Sequence, residues 1–142
     1  MRYEFFILAD LPPKKDGAQS MFGKPLEAKR LVKLRQAALE AFRGQPPLRS
    51  NIKLSIKVYV GQVNNMSTGD LDNFVTGICD GLMQADMRAK MDSIWSKPGM
   101  EDIHPSKTIA IVDDSQVVHI EAIKVVGDSH QQGYEIILEG EQ

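Results

Sequence analysis

Apolar and polar residues alternate at positions 52–60, and this period of two predicts a half-buried β-strand. Its even-numbered positions are apolar and would face the core, while Lys53, Ser55 and Lys57 would lie on the other side of the sheet. An aromatic and β-branched run at 3–9, followed by Asp10 and two prolines, predicts another buried strand.

Two segments have the 3.6-residue period of amphipathic helices instead. The first is predicted at 26–43, with Pro25 suited to the first helical position and Gly44 to the stop. Its apolar stripe is Leu31, Leu34, Ala38 and Phe42. The second is predicted from Leu71 to near Gln84. Its polar face carries two acids and a threonine, at every fourth position: Asp72, Thr76 and Asp80.

The rest of the chain predicts one short helix and more strands. Within 86–107 a helix is expected around Trp95, whose indole is interpreted as packed, with a base-stacking wedge as the alternative. β-Rich runs predict three strands, the last two joined as a hairpin: 108–112, 117–126 and 134–138. This order of elements predicts a single α/β or α+β domain over 1–142, with a mixed sheet of about five strands packed by two or three helices.

Charge is divided unevenly along the chain. The 142 residues carry 17 Lys and Arg against 19 Asp and Glu, a net charge of −2. Positions 11–53 hold ten Lys and Arg and three acids, a balance of +7, whereas 54–142 holds six and fourteen, a balance of −8. This layout is typical of a nucleic-acid-binding face beside a metal site, although a solvated basic helix face gives the same counts.

The single cysteine, Cys79, falls on the apolar face of the second helix and is interpreted as a buried small hydrophobe rather than a nucleophile. One cysteine excludes an internal disulfide, as expected in a reducing cytosol, so a cytoplasmic protein is predicted. No apolar run approaches the roughly 20 residues that span a bilayer, so no membrane partner is expected.

Asp70 and Asp72 stand one residue apart where the second helix begins. Two carboxylates held close repel each other unless a cation lies between them, and oxygen ligands suit a hard ion such as Mg²⁺ or Mn²⁺. The alternative is a helix N-terminus that simply carries two acids. A second acidic pair, Asp113 and Asp114, follows the predicted strand 108–112 and could complete the same shell; an Asp/Ser turn between strands is the alternative.

These motifs resemble a known family in their order and context. The segments Asp70-Leu71-Asp72-Asn73, Asp80-Gly81-Leu82 and Val112-Asp113-Asp114-Ser115-Gln116-Val117 are similar to motifs of the RusA-like Holliday-junction resolvases. The N-terminal strand ending in Leu11-Pro12-Pro13 and the helix at about 25–42 also resemble that family.

The resemblance implies a homodimeric, Mg²⁺-dependent endodeoxyribonuclease that resolves four-way junctions in recombination and repair. The family's metal-binding catalytic aspartates fall on Asp70, Asp72 and Asp114, and Asp113 takes a supporting place at the metal. The ion would lower the pKa of a bound water and stabilise charge on the attacked phosphate. Two departures stand out: Thr76 replaces a usual lysine, and the link between the acidic motifs is longer. Basic residues of that link could supply the charge: Lys90, Lys97 or Lys107.

Five basic residues are predicted to hold the DNA backbone: Lys14, Lys15, Lys29, Arg30 and Lys33. For the two loop lysines, an ordinary surface loop is the alternative. The missing lysine motivates a second hypothesis, a catalytically impaired resolvase-like protein that binds junctions without cutting them. A third hypothesis is a small-molecule phosphohydrolase that uses the same aspartates, and the basic N-terminal half argues against it.

Overall fold

The fold is a mixed β-sheet with two α-helices, in a computed structural model that describes residues 1–15, 17, 20–61, 70–127 and 132–141. In chain order its elements are β1 (Arg2–Leu8), α1 (Pro25–Phe42), β2 (Ile52–Val60), α2 (Leu71–Gly81), β3 (Val117–Val126) and β4 (Gly133–Gly140). The strand order is β1-β4-β2-β3; β2 and β3 run parallel, and the other neighbours are antiparallel. The predicted α+β class is confirmed, with four strands in the described ranges instead of about five.

The periodic segments fold as their patterns predict. β2 alternates buried and half-buried side chains over its whole length. β1 and α1 begin and end within one residue of the predicted limits; β1 stops before Ala9, which has a φ of 65°, and α1 stops before the left-handed Arg43. α2 ends at Gly81, earlier than predicted, because the carbonyl groups of Gly81 and Met83 accept hydrogen bonds from Arg35.

The predicted hairpin between β3 and β4 is wrong. β4 lies between β1 and β2 and pairs with both, whereas β3 pairs with the far side of β2. The side chains of Tyr134, Ile136 and Leu138 on β4 are completely buried. A central position buries such a strand, whereas β3 at the edge exposes Ile120 and Ile123.

The predicted strand at 108–112 is also wrong. The described segment forms one isolated bridge, between Leu48 and Ile111. Its backbone closes the end of α2 instead, because the N–H groups of Ala110 and Ile111 donate to the carbonyl oxygen of Leu82 at 3.0 and 3.3 Å. Orphan carbonyl groups at a helix C-terminus need such partners, and here the run that looked like a strand supplies them.

The segment predicted to hold a helix around Trp95 contains two short 3-10 helices, Ser93–Ser96 and Glu101–Ile103. Trp95 is packed, as predicted: it is 3% exposed, and its Nε1 donates to the carbonyl oxygen of Phe22 at 3.0 Å. The segment covers the outer side of α1. One side of that helix packs on the sheet, and the other packs on Trp95 and its neighbours through three residues: Ala28, Leu31 and Val32.

Arg35 joins α1 to the segment that follows α2. Its side chain is completely buried, and its guanidinium donates to five carbonyl oxygens at distances of 2.6 to 2.9 Å. Those oxygens belong to Gly81, Met83, Ile103, His104 and Lys107. Burial lowers the pKa of the guanidinium to about 10, so the group stays charged at neutral pH.

The two faces of the sheet differ. The face that carries the even-numbered residues of β2 packs on both helices. The opposite face exposes large apolar side chains, including Phe6, Leu8 and Ile123. No helix in the described part of the chain combines the length and the hydrophobicity required to cross a bilayer.

Candidate active site

Asp70 and Asp72 lie at the exposed N-terminal end of α2. Asp70 is the N-cap residue, with an extended backbone, but within the described residues its side chain makes no capping hydrogen bond. One carboxylate oxygen of Asp72 accepts from the N–H of Asn73 at 3.0 Å. The helix N-terminus therefore carries two solvent-accessible carboxylates where the macrodipole favours negative charge, and the Asp70 carboxylate is not occupied in capping.

Hydrogen bonds hold the turn that carries Asp113 and Asp114 at the beginning of β3. Asp113 caps the 3-10 helix Asp114–Gln116, and its side chain accepts from the N–H of Ser115 at 2.9 Å. The buried side chain of Gln116 accepts from the N–H groups of Val112 and Asp113 at 2.7 and 2.9 Å. Its amide nitrogen donates to the carbonyl oxygens of Leu48 and Ser50 at 2.8 and 2.9 Å.

The pKa values of the two carboxyl groups of this turn are shifted in opposite directions. The N–H of Ser115 lowers the pKa of Asp113, the group already used as a cap. The hydrogen bond between the two side chains is the main cause that raises the pKa of Asp114. Asp113 is therefore the more readily ionised of the pair, and Asp114 holds a proton to higher pH.

Asp114 lies beside the C-terminal half of α2. Burial raises the pKa of the Cys79 thiol to about 12, and the charges of Asp80 and Asp114 add to this shift. Asp114 likewise raises the pKa of Asp80, for which burial is the largest cause. Cys79 is buried, as predicted, and its thiol stays protonated at neutral pH.

The three predicted metal ligands do not form one ion-sized cluster in the described part of the chain. Within residues 1–15, 17, 20–61, 70–127 and 132–141, no group of three Asp, Glu, His or Cys side chains is close enough to hold a metal ion. Asp80, whose pKa is raised by the charge of Asp114, is two helical turns beyond Asp72, a rise of about 12 Å. The segment 62–69, which leads into Asp70, is outside the described residues.

The loop after β1 lies against α2. The backbone N–H of Lys15 donates to the carbonyl oxygen of Asn73 at 3.2 Å. A Cβ atom at Gly77 would collide with the carbonyl oxygen of Pro13, so the glycine permits this close approach. On the other side of the loop, the N–H of Lys14 donates to Glu27 at 3.0 Å. Main-chain contacts to both helices thus fix the position of the two lysines.

Lys15 brings positive charge to the acidic helix. Its charge lowers the pKa of Asp80, against the effect of burial, and both side chains line one cavity. The sequence predicts Asp80 on the same helix face as Asp72, but its motifs do not assign Asp80 to the site. The spacing of four between Asp72, Thr76 and Asp80 was the available signal, because it aligns all three along α2.

The basic residues of α1 have different surroundings. Lys29 is exposed. Arg30 is mostly buried, with a side chain 13% exposed, and lies 3.5 Å from carboxylate oxygens of both Asp10 and Glu27. The ammonium of Lys33 is 3.2 Å from Asp10, and half of its side chain is exposed. Solvent therefore reaches Lys29 and Lys33 on this helix more than Arg30.

Comparison with known proteins does not name a family. No protein-family model matches this chain, and a search of curated proteins finds no match.

Proposed function

We propose that this protein is a structure-specific endodeoxyribonuclease that cuts branched DNA, with the four-way junction as its substrate. The observation that carries the proposal is that a basic loop is fixed along the helix that exposes Asp70 and Asp72. Lys15 is bonded to the first turn of that helix through its own backbone N–H. The helix thus presents carboxylates for chemistry at phosphorus, and the loop presents cations for the DNA backbone.

Charge balance supports a phosphodiester substrate. Carboxylates alone would repel a phosphate, and an adjacent ammonium reduces that repulsion at short range. Lys14 and Lys15 are half-buried, and main-chain contacts hold them in position, so little loop entropy is lost when DNA binds. The exposed Lys29 and the half-exposed Lys33 on α1 would extend the basic surface along the duplex.

The proposal includes dependence on Mg²⁺ or Mn²⁺, since carboxylate oxygens suit hard cations. Asp70, Asp72 and Asp114, with Asp113, are the residues that the resemblance implies as ligands. Within the described residues, no three of these side chains come together around one ion-sized space. A cytoplasmic homodimer with one acidic site for each DNA strand, acting in recombination and repair, is part of the same proposal on the resemblance alone.

The test compares Asp72→Asn with a matched control, Asp102→Asn, which removes an exposed carboxylate from the segment after α2. Nicking of a labelled mobile four-way junction is measured across a Mg²⁺ titration, and binding is measured by gel shift in EDTA. Asp72→Asn is expected to abolish cutting and keep binding, and the control is expected to keep both. Full cutting by Asp72→Asn would remove this carboxylate from the reaction.

A second candidate, a protein that binds junctions without cutting them, is favoured by one observation. Thr76 is neutral and supplies no positive charge to the acids, and its hydroxyl is already bonded to the carbonyl oxygen of Asp72 at 3.1 Å. Wild-type protein that shifts the junction but never nicks it, in either Mg²⁺ or Mn²⁺, would establish this function. The variant Thr76→Lys is then expected to restore cutting.

A further inference from the structure

A cavity of about 400 Å³ opens beside the C-terminal end of α2, between that helix and the loop after β1. This volume is within the range of small-ligand sites. Met21 and Phe22, both buried, give it an apolar floor. Its polar lining includes Lys15, Asp80 and Gln84, and the charge of Lys15 lowers the pKa of the Asp80 carboxyl group.

These groups fit an anionic ligand with a flat apolar body. The carboxyl group would repel a phosphate at its own side, so a phosphate fits only at the Lys15 side. A carboxyl and an amide side chain are the groups that recognise base edges through hydrogen bonds. The other acid on the rim, Asp86, is already paired with Arg88 at 3.0 Å. An apolar floor with such a rim is typical of a pocket for an unstacked base.

We propose that this cavity binds one unstacked nucleotide of the DNA substrate, with its phosphate on Lys15, its base on the apolar floor and the base edge on Asp80 and Gln84. The inference rests on the proposed function and adds a second DNA contact to it. Asp80 lies about 12 Å along α2 from Asp72, a distance that three to four stacked nucleotides span. A strand that passes Asp72 can therefore place a nucleotide three or four positions further along in the cavity.

The chemistry of Asp80 sets a preference among bases. An ionised carboxylate only accepts hydrogen bonds, so it favours the bases with an exocyclic amino group (adenine, cytosine and guanine) over thymine, whose one N–H donor lies between two carbonyl acceptors. Asn at position 80 both donates and accepts, so Asp80→Asn is expected to remove the preference and keep the cavity.

The test is an NMR titration of the full chain with dAMP, dCMP, dTMP and inorganic phosphate, without metal. The two amino-bearing nucleotides are expected to shift amide signals between Asp80 and Ala89 and to bind at least about threefold tighter than dTMP, a difference of about 0.7 kcal/mol. Phosphate alone is expected to bind more weakly than any nucleotide. Equal affinities for all four probes, or shifts confined to other regions, would overturn the proposal.

A second variant separates the cavity from the nuclease. Ala89→Phe places a ring into the cavity without changing its charged groups and is expected to abolish nucleotide binding; its matched control is Ala37→Phe on α1. Nucleotide binding without any nicking of junctions would refute the proposed function and keep the pocket. If the wild type nicks junctions but binds no nucleotide, and Ala89→Phe is equally active, the nucleotide pocket is refuted and the proposed function stands.

Discussion

The Nη1 atom of Arg35 donates a 2.7 Å hydrogen bond to the carbonyl oxygen of Gly81, the last residue of α2. The same nitrogen also bonds to the carbonyl oxygen of Met83 at 2.9 Å. The last carbonyl groups of a helix lack intrahelical partners and carry partial negative charge, so a cation is favourable there. A residue in the middle of α1 thus fixes the end of the helix that carries Asp80.

Replacing Arg35 with Met is expected to lower the free energy of unfolding by at least about 3 kcal/mol, because methionine fills similar space but leaves five carbonyl groups without this donor. Urea unfolding followed by circular dichroism measures the loss. The control is Arg49→Met at an exposed position, which should change stability by less than about 0.5 kcal/mol. Equal losses in both variants would contradict the structural role of the buried guanidinium.

Gly77→Ala tests the contact between α2 and the loop after β1. Alanine favours a helix over glycine by roughly 1 kcal/mol, so the collision with Pro13 must outweigh that gain. We expect a net loss of about 1–3 kcal/mol in unfolding free energy. Junction affinity should fall as well, because the displaced loop carries Lys15. Gly61→Ala, with open space around its Cβ, is the control; a stable Gly77→Ala that binds normally would refute the contact.

The raised pKa of Asp80 makes the free energy of unfolding depend on pH. The folded protein binds the proton of Asp80 more tightly than the unfolded chain does. This proton therefore stabilises the folded state at low pH, and the stabilisation is lost as the pH rises through the folded-state pKa. Asp80→Asn is therefore expected to be more stable than the wild type at pH 7, by up to about 0.5 kcal/mol after solvent screening, with the gain shrinking at pH 4 and lost only below the ordinary pKa of 3.8. Urea unfolding at both pH values measures it, beside Asp102→Asn. A variant less stable at pH 7 would show that the attraction of Lys15 for the Asp80 carboxylate outweighs the cost of burial.

Gln116→Leu tests the support of the Asp113–Asp114 turn. The buried amide serves two N–H and two carbonyl groups, and leucine would leave all four without a side-chain partner. We expect a loss of about 2–4 kcal/mol in unfolding free energy, together with altered titration of Asp114 in carboxyl-detected NMR. The exposed Gln36→Leu is the comparison. If Asp114 titrates as in the wild type, the turn does not depend on this anchor.

The sequence predicts those parts of the fold that depend on local periodicity. The alternation of β2 and the stripe of α1 each identify a buried face within one segment, and the structure has both. Pairing partners depend on distant residues instead. The apolar run at 108–112 looks like a strand, yet its amides bond to Leu82 at the end of α2. The polar turn before β4 looks like a hairpin, yet β4 inserts between β1 and β2.

In the candidate site, too, the sequence predicts features that depend on local pattern and misses those that depend on distant residues. Asp70, Asp72, Asp113 and Asp114 are visible in the sequence because they stand at the ends of periodic segments. The proximity of Lys15 to Asp80 is not, because it depends on the absence of a side chain at Gly77, about sixty positions away from the loop. The place of Asp114 along α2 likewise follows from tertiary hydrogen bonds that no local pattern contains.

The position of β4 has a consequence for how the sheet assembles during synthesis. β1 pairs with β4 in the described sheet, so β1 leaves the ribosome well before its partner strand has been made. Closing so long a loop is slow, and the unpaired edge of β1, with exposed Phe6 and Leu8, is open to chaperones or to aggregation in the meantime. Nascent chains halted before Gly133 should therefore hold α1 and β2 without a completed sheet.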